Sequence, residues 1–162
     1  MGTQGRIFSI NISQAKGMAK SMARSGRLLE GLGLEGDAHA GPGIRQVSLL
    51  AIEQIEDFES RVKQAGCDLR PGSFGENITT EGLDLSRIRV GDRIRAGESA
   101  VLRVTQLGKT CHGGCSIRRV TGDCIMPQSG IFAVVEESGE IRVQEPLKVA
   151  SQRKALWSWL KT

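Results

Sequence analysis

The chain has 162 residues, a length that suits one compact domain covering residues 1–162. Charged residues at 25% and hydrophobic residues at 39% lie near the globular average, which disfavours disorder, a coiled coil or a fibrous repeat. The basic excess of 22 over 18 gives only +4, and aromatics at 4% leave few base-stacking platforms, so nucleic acid is not expected as a partner.

In chain order, residues 6–12 alternate well enough for a first strand carrying Ile7, Ile10 and Ile12, with a one-step slip at Phe8. The stretch to about residue 29 is ambiguous between strand and loop. Residues 31–43 are glycine-dense and hold Asp37, His39 and Pro42, which predicts an ordered functional loop. Residues 47–50 read as a short buried strand feeding a helix, in which Ile52, Ile55, Phe58, Val62 and Ala65 recur at helical spacing until Gly66.

After Pro71-Gly72 the pattern predicts short strands near 76–80, 92–96, 99–107, 130–137, 140–143 and 146–150, separated by turns. Residues 152–161 place Leu156, Trp157, Trp159 and Leu160 on one face of a closing amphipathic helix. Many short strands with two to four peripheral helices predict a mainly β, α+β domain whose sheet closes, wholly or partly, into a barrel and so hides its edges. No run approaches the roughly 18 apolar residues of a membrane span, and residues 1–6 lack a signal-peptide core, so a cytoplasmic protein with no membrane partner is expected.

Chemistry concentrates in three windows. In Gly108-Lys109-Thr110-Cys111-His112-Gly113-Gly114-Cys115, at a strand end, Lys109 and His112 favour the thiolate of Cys111, the form that attacks, carries a persulfide or ligates a metal. Cys124 follows nine residues after Cys115. The three sulfurs with His112 offer a zinc set, although the paired short spacings of structural zinc sites are missing. A cysteine is most simply a small buried apolar residue, and Cys67 is read that way. Cys111 lacks the apolar neighbours for it, and for Cys115 and Cys124 both readings stay open.

The second window, Asp37-Ala38-His39 followed by Arg45, reads either as a glycine turn with a capping Asp and a surface His, or as an anion pocket. In the pocket, His39, Arg45 and glycine N–H groups would be the donors. The third, Glu76-Asn77-Ile78-Thr79-Thr80, suits either a polar heterocycle or a solvated rim.

Taken in order, Gly36-Asp37-Ala38-His39-Ala40-Gly41, Arg45-Gln46-Val47-Ser48-Leu49, Pro71-Gly72-Ser73-Phe74-Gly75-Glu76-Asn77-Ile78, Val90-Gly91-Asp92-Arg93 and Gly108-Lys109-Thr110-Cys111-His112 resemble the MOSC family, named for the C-terminal domain of molybdenum cofactor sulfurases. The resemblance implies a β-barrel, association with the molybdenum–pterin cofactor, and Cys111 as the sulfur-handling or metal-contacting cysteine. Cys115 and Cys124 look like additions of a small bacterial branch whose members stand alone or are fused to cofactor-assembly domains. It further implies cofactor-binding roles for Asp37, His39, Arg45, Asn77 and Lys109, with His112 tuning the thiol.

Three functions follow as expectations. One is cofactor maturation or trafficking, with Cys111 as persulfide carrier or molybdenum ligand and a cysteine desulfurase, cofactor-assembly protein or molybdoenzyme as partner. Another is a molybdenum-dependent reductase component acting on N-hydroxylated small molecules, with electrons from partners because no flavin, nicotinamide or iron–sulfur pattern is evident. The last is a noncatalytic scaffold in which Cys111, Cys115 and Cys124 hold zinc.

Overall fold

The computed structural model describes residues 3–62, 69–108 and 124–150. Its strands are β1 (Gln4–Ile12), β2 (Ser21–Ala23), β3 (Ser25–Leu29), β4 (Gly33–Leu34), β5 (Val47–Ala51), β6 (Ile78–Glu81), β7 (Arg93–Ala96), β8 (Ala100–Leu107), β9 (Ile131–Glu137), β10 (Gly139–Arg142) and β11 (Pro146–Ala150). Helix α1 (Ile52–Val62) and the single turn α2 (Met126–Ser129) accompany them, with a 3-10 turn at Leu85–Arg87. Among the described residues no helix is long and apolar enough to cross a membrane.

Seven strands close in the order β1-β11-β7-β8-β9-β5-β6 and back to β1, with β2 added along the far half of β1. Strand β1 closes the ring because it is long enough to change partners. Its Gln4–Arg6 end pairs with β11, and Arg6–Ile10 pairs with β6. A register shift between Ile7 and Ser9 lets both Ile7 and Ile10 enter the barrel core, while Phe8 packs on the outer cluster. The slip in the sequence alternation is this bulge, the usual device for bending a barrel strand.

The barrel is filled by the inward set of each strand, including Ile7, Leu49, Ile78, Ile94, Leu102, Val104, Ala133 and Leu147. A small sheet, β10-β3-β4, adds Leu28, Leu34 and Ile141 to that core. Strand β5 is buried along its whole length because the barrel covers one face and a second cluster covers the other. Helix α1 supplies Ile55 and Phe58 to that cluster, and Phe58 meets Phe74 edge to face with centroids 5.5 Å apart. The helix is also the crossover that a parallel pair demands, and β5 runs parallel to β6.

The mainly β barrel expected from the sequence is the fold observed. The ambiguous stretch to residue 29 resolves into β2 and β3, and the glycine-dense loop is ordered around β4. The helix stop at Ala65-Gly66, Cys67 and the closing helix at 152–161 lie outside the described residues.

Candidate functional site

On the outer face of the barrel, four stretches enclose a pocket of about 520 Å³, within the range of roughly 300–1,000 Å³ typical of small-molecule sites. The β1–β2 connection brings Lys16 and Gly17, the loop before β5 brings His39, Gly43 and Arg45, and the loop before β6 brings Ser73, Phe74, Gly75 and Asn77. The segment through α2 into β9 brings Cys124, Met126 and Phe132. Sequence windows separated by dozens of residues thus meet, because β5 and β6 are adjacent in the barrel and β9 lies on the other side of β5.

Beneath the pocket lies a buried ion pair. Lys20 Nζ donates to Asp37 Oδ1 at 2.6 Å, and neither side chain has exposed surface. The same carboxylate accepts from the N–H of Ser13 at 3.0 Å and, through Oδ2, from the N–H of His39 at 3.1 Å. Burial acts to raise the Asp37 carboxyl, but hydrogen bonds from Lys20, Ser13 and Asn77 and the Lys20 charge outweigh it, holding the group below its ordinary value. Asp37 therefore does not line the pocket. It ties the β1–β2 connection to the loop that carries His39.

Lys20 reaches a second loop through its backbone. Its N–H donates to the carbonyl of Gly72 at 3.0 Å, and Gly72 sits at φ +91° with its missing Cβ replaced by the Lys20 carbonyl, 2.4 Å from where that carbon would stand. Gly72→Ala meets both a left-handed backbone and a steric block. The expected cost is at least about 1–3 kcal/mol, the usual penalty of a strained backbone, read as a lowered thermal midpoint.

Other side chains serve as struts. Asn77 Oδ1 accepts from the N–H of Ser48 at 3.0 Å and Nδ2 donates to the Asn11 carbonyl at 3.4 Å, so only a margin of Asn77 faces the pocket. Gln46 Oε1 accepts from Val135 N–H at 2.9 Å and its Nε2 donates to the Gly43 carbonyl at 3.2 Å. Glu76 is fully buried, accepting from Gly72 N–H and Thr79 Oγ1, with Oε1 unpartnered. Burial pushes its carboxyl up, against the hydrogen bonds from Gly72 and Thr79.

At the mouth, Arg45 holds its guanidinium 5.8 Å from the Phe132 ring centroid, a cation–π contact that steadies a long exposed side chain. Lys16 and His39 share the pocket with it, and no Asp or Glu is among the described lining residues. Gly17, Gly43 and Gly75 have open space where a Cβ would project, which leaves their backbone accessible to a ligand. Basic donors from Lys16, His39 and Arg45 together with apolar Phe74, Met126 and Phe132 in one lining suit a ligand with an anionic group on a flat, partly apolar body.

Of the residues singled out in the sequence, His39, Arg45, Asn77 and Cys124 come together here, and Asp37 supports them from below. Cys124 is 9% exposed in the wall. Lys109, Cys111, His112 and Cys115 lie outside the described residues. Among the described residues no three His, Cys, Asp or Glu side chains form a metal-binding group. Lys20 was not legible in the sequence, since a lysine between two methionines in a basic stretch reads as a solvated face.

A family model for the MOSC domain matches residues 35–148. No curated protein sequence matches. Among solved structures, the YuaD protein of Bacillus subtilis superposes with a TM-score of 0.71 at 19% identity over 90% of this chain and 95% of its own. YiiM of Escherichia coli gives 0.67 at 23% identity, over 92% of this chain and 70% of its own. YiiM of Geobacillus stearothermophilus gives 0.68 at 21%, over 91% and 76%. At these identities the likeness is one of fold.

Proposed function

The chain belongs to the MOSC domain family, and from that premise we propose that its pocket binds a molybdenum–pterin cofactor and that the protein acts in the maturation or trafficking of that cofactor. The observation that carries this reading is the lining of one cavity by His39, Arg45 and Lys16 without a carboxylate among its described residues, together with apolar Phe74, Met126 and Phe132. That donor set fits a phosphorylated heterocycle. Charge-assisted hydrogen bonds from Arg45 and Lys16 would hold the phosphate, with His39 as a further donor, while Phe74 and Met126 would exclude water from the ring system. When bound, the group would supply a soft metal centre that accepts thiolate or sulfide.

Cys111, just beyond the end of β8, is the proposed sulfur carrier. Its thiolate would attack the outer sulfur of a donor protein's persulfide. A sulfur–sulfur bond forms on Cys111 as the donor's breaks, and the donor's thiolate leaves, so the exchange needs no external oxidant. A cysteine desulfurase in the same reducing compartment is the class of donor this requires. The whole chain, on this reading, is one domain.

The test is incubation of the purified protein with molybdenum–pterin cofactor released from a molybdoenzyme, followed by gel filtration and elemental analysis. Molybdenum and one pterin phosphate retained per chain are expected, and failure to retain either, or retention of zinc alone, overturns the reading. Radiolabelled sulfur from a desulfurase is expected to reach the parent and not Cys111→Ser, with an unchanged denaturation midpoint. Full labelling of Cys111→Ser removes the carrier role. Turnover of an N-hydroxylated base by the loaded protein would instead favour the reductase function.

A further inference from the structure

His39 lines the pocket with 42% of its side chain exposed, and its Nδ1 faces the buried ammonium of Lys20 at 3.1 Å. An ammonium has three donors and no acceptor, so a hydrogen bond at that distance requires an unprotonated Nδ1. The competing arrangement, Nδ1–H donating to Asp37, has 3.7 Å to span, beyond hydrogen-bond range. The carboxylate is also already engaged, Oδ1 by Lys20 and Ser13 N–H and Oδ2 by the His39 N–H. A ring turned over would set a C–H against the ammonium and lose the bond.

Lys20 cannot easily leave. Its backbone N–H is bound to Gly72, its carbonyl occupies the space above the Gly72 Cα, and its ammonium is held by Asp37 at 2.6 Å. The pair therefore does more than join two loops.

We propose that Lys20, fixed by Asp37, is a positioning residue that locks His39 in its Nε2–H tautomer, so that the neutral ring serves the pocket as a hydrogen-bond donor to an oxyanion of the ligand. The ligand half of this rests on the cofactor reading above, and the tautomer half does not. With the hydrogen on Nε2, the nitrogen remote from Lys20 cannot accept, so a ligand group offering only a donor gains nothing from His39. The buried pair thereby selects an acceptor without touching the ligand.

The experiment is a long-range proton–nitrogen correlation spectrum of the labelled, ligand-free full chain, recorded well above the ordinary imidazole pKa of about 6.5. His112→Gln identifies His39 by elimination, because the chain holds 2 histidines. The expected result is a pyridine-type Nδ1 and a pyrrole-type Nε2 for nearly the whole population, with the Nδ1–H share rising several-fold in Lys20→Met. A parent with Nδ1–H dominant, or a folded Lys20→Met with an unchanged tautomer, overturns the proposal. If Lys20→Met does not fold, a scalar coupling across the Lys20 Nζ–H···Nδ1 bond in the parent decides: its presence supports the lock and its absence overturns it. Because no ligand is present, a protein that retains no molybdenum can still show the lock, and a protein with mixed tautomers can still bind cofactor, so the two failures are separable.

Discussion

Asp37→Asn is expected to cost the protein about 3–5 kcal/mol, because it leaves the ammonium of Lys20 buried without its counter-charge. Both side chains of the pair are fully buried, so water cannot replace the lost partner. The double variant Lys20→Met/Asp37→Leu should recover only part of the loss, since an apolar pair removes the desolvation cost of the two charges but leaves the Ser13 and His39 N–H groups without the carboxylate that accepts from them. The sign of the pH dependence follows from the lowered Asp37 carboxyl. Its stabilisation is fully present above the ordinary Asp value of about 3.9 and is lost as pH falls through the lower folded value. Urea unfolding should therefore show the full gap between parent and Asp37→Asn at neutral pH and a closing gap in acid. A gap below about 1 kcal/mol at neutral pH, the range of exposed ion pairs, would contradict the burial of the pair.

Arg45→Ala is expected to weaken cofactor binding roughly 10- to 100-fold, the equivalent of about 1.5–3 kcal/mol for a hydrogen bond to a charged group. The residue is exposed and its contact with Phe132 contributes only about 0.5–1 kcal/mol, so the denaturation midpoint should scarcely move. Arg45→Lys should recover part of the affinity, because a lysine restores the charge without the planar fork that binds two phosphate oxygens at once. Calorimetric titration with the released cofactor checks each variant. Equal affinity of parent and Arg45→Ala would place the anionic group elsewhere, and with it the orientation of the ligand.

These two residues differ in how far the sequence exposed them. Arg45 stood out with His39 because cationic donors beside a glycine-dense loop read as one of two options, an anion pocket or a plain turn. Asn77 stood out as part of a polar strand start, and its place at a site was implied only by the family resemblance. Asp37 was visible as a residue but not as a role, since a capping Asp, a ligand contact and half of a buried ion pair look identical in one dimension. Its partner Lys20 left no trace. The pairing spans 17 residues with no fixed periodicity, and only the packing of β1 and β2 against the loop before β5 brings the two charges together.

The first strand with its slip at Phe8, the helix after β5 and the run of short strands after Pro71-Gly72 were written locally, because alternation, helical spacing and glycine turns are properties of neighbouring residues, whereas β2, β3 and β4 carried no such pattern. Closure of the seven strands was implied by their number and shortness, whereas which strand pairs with which, and hence which loops face each other across the pocket, was decided by the barrel. Charge neutralisation at Lys20, the ring orientation of His39 and the empty space opposite Gly43 and Gly75 arise only where distant segments touch. Electrostatic and steric complementarity act through space, and chain order records only what lies next to what.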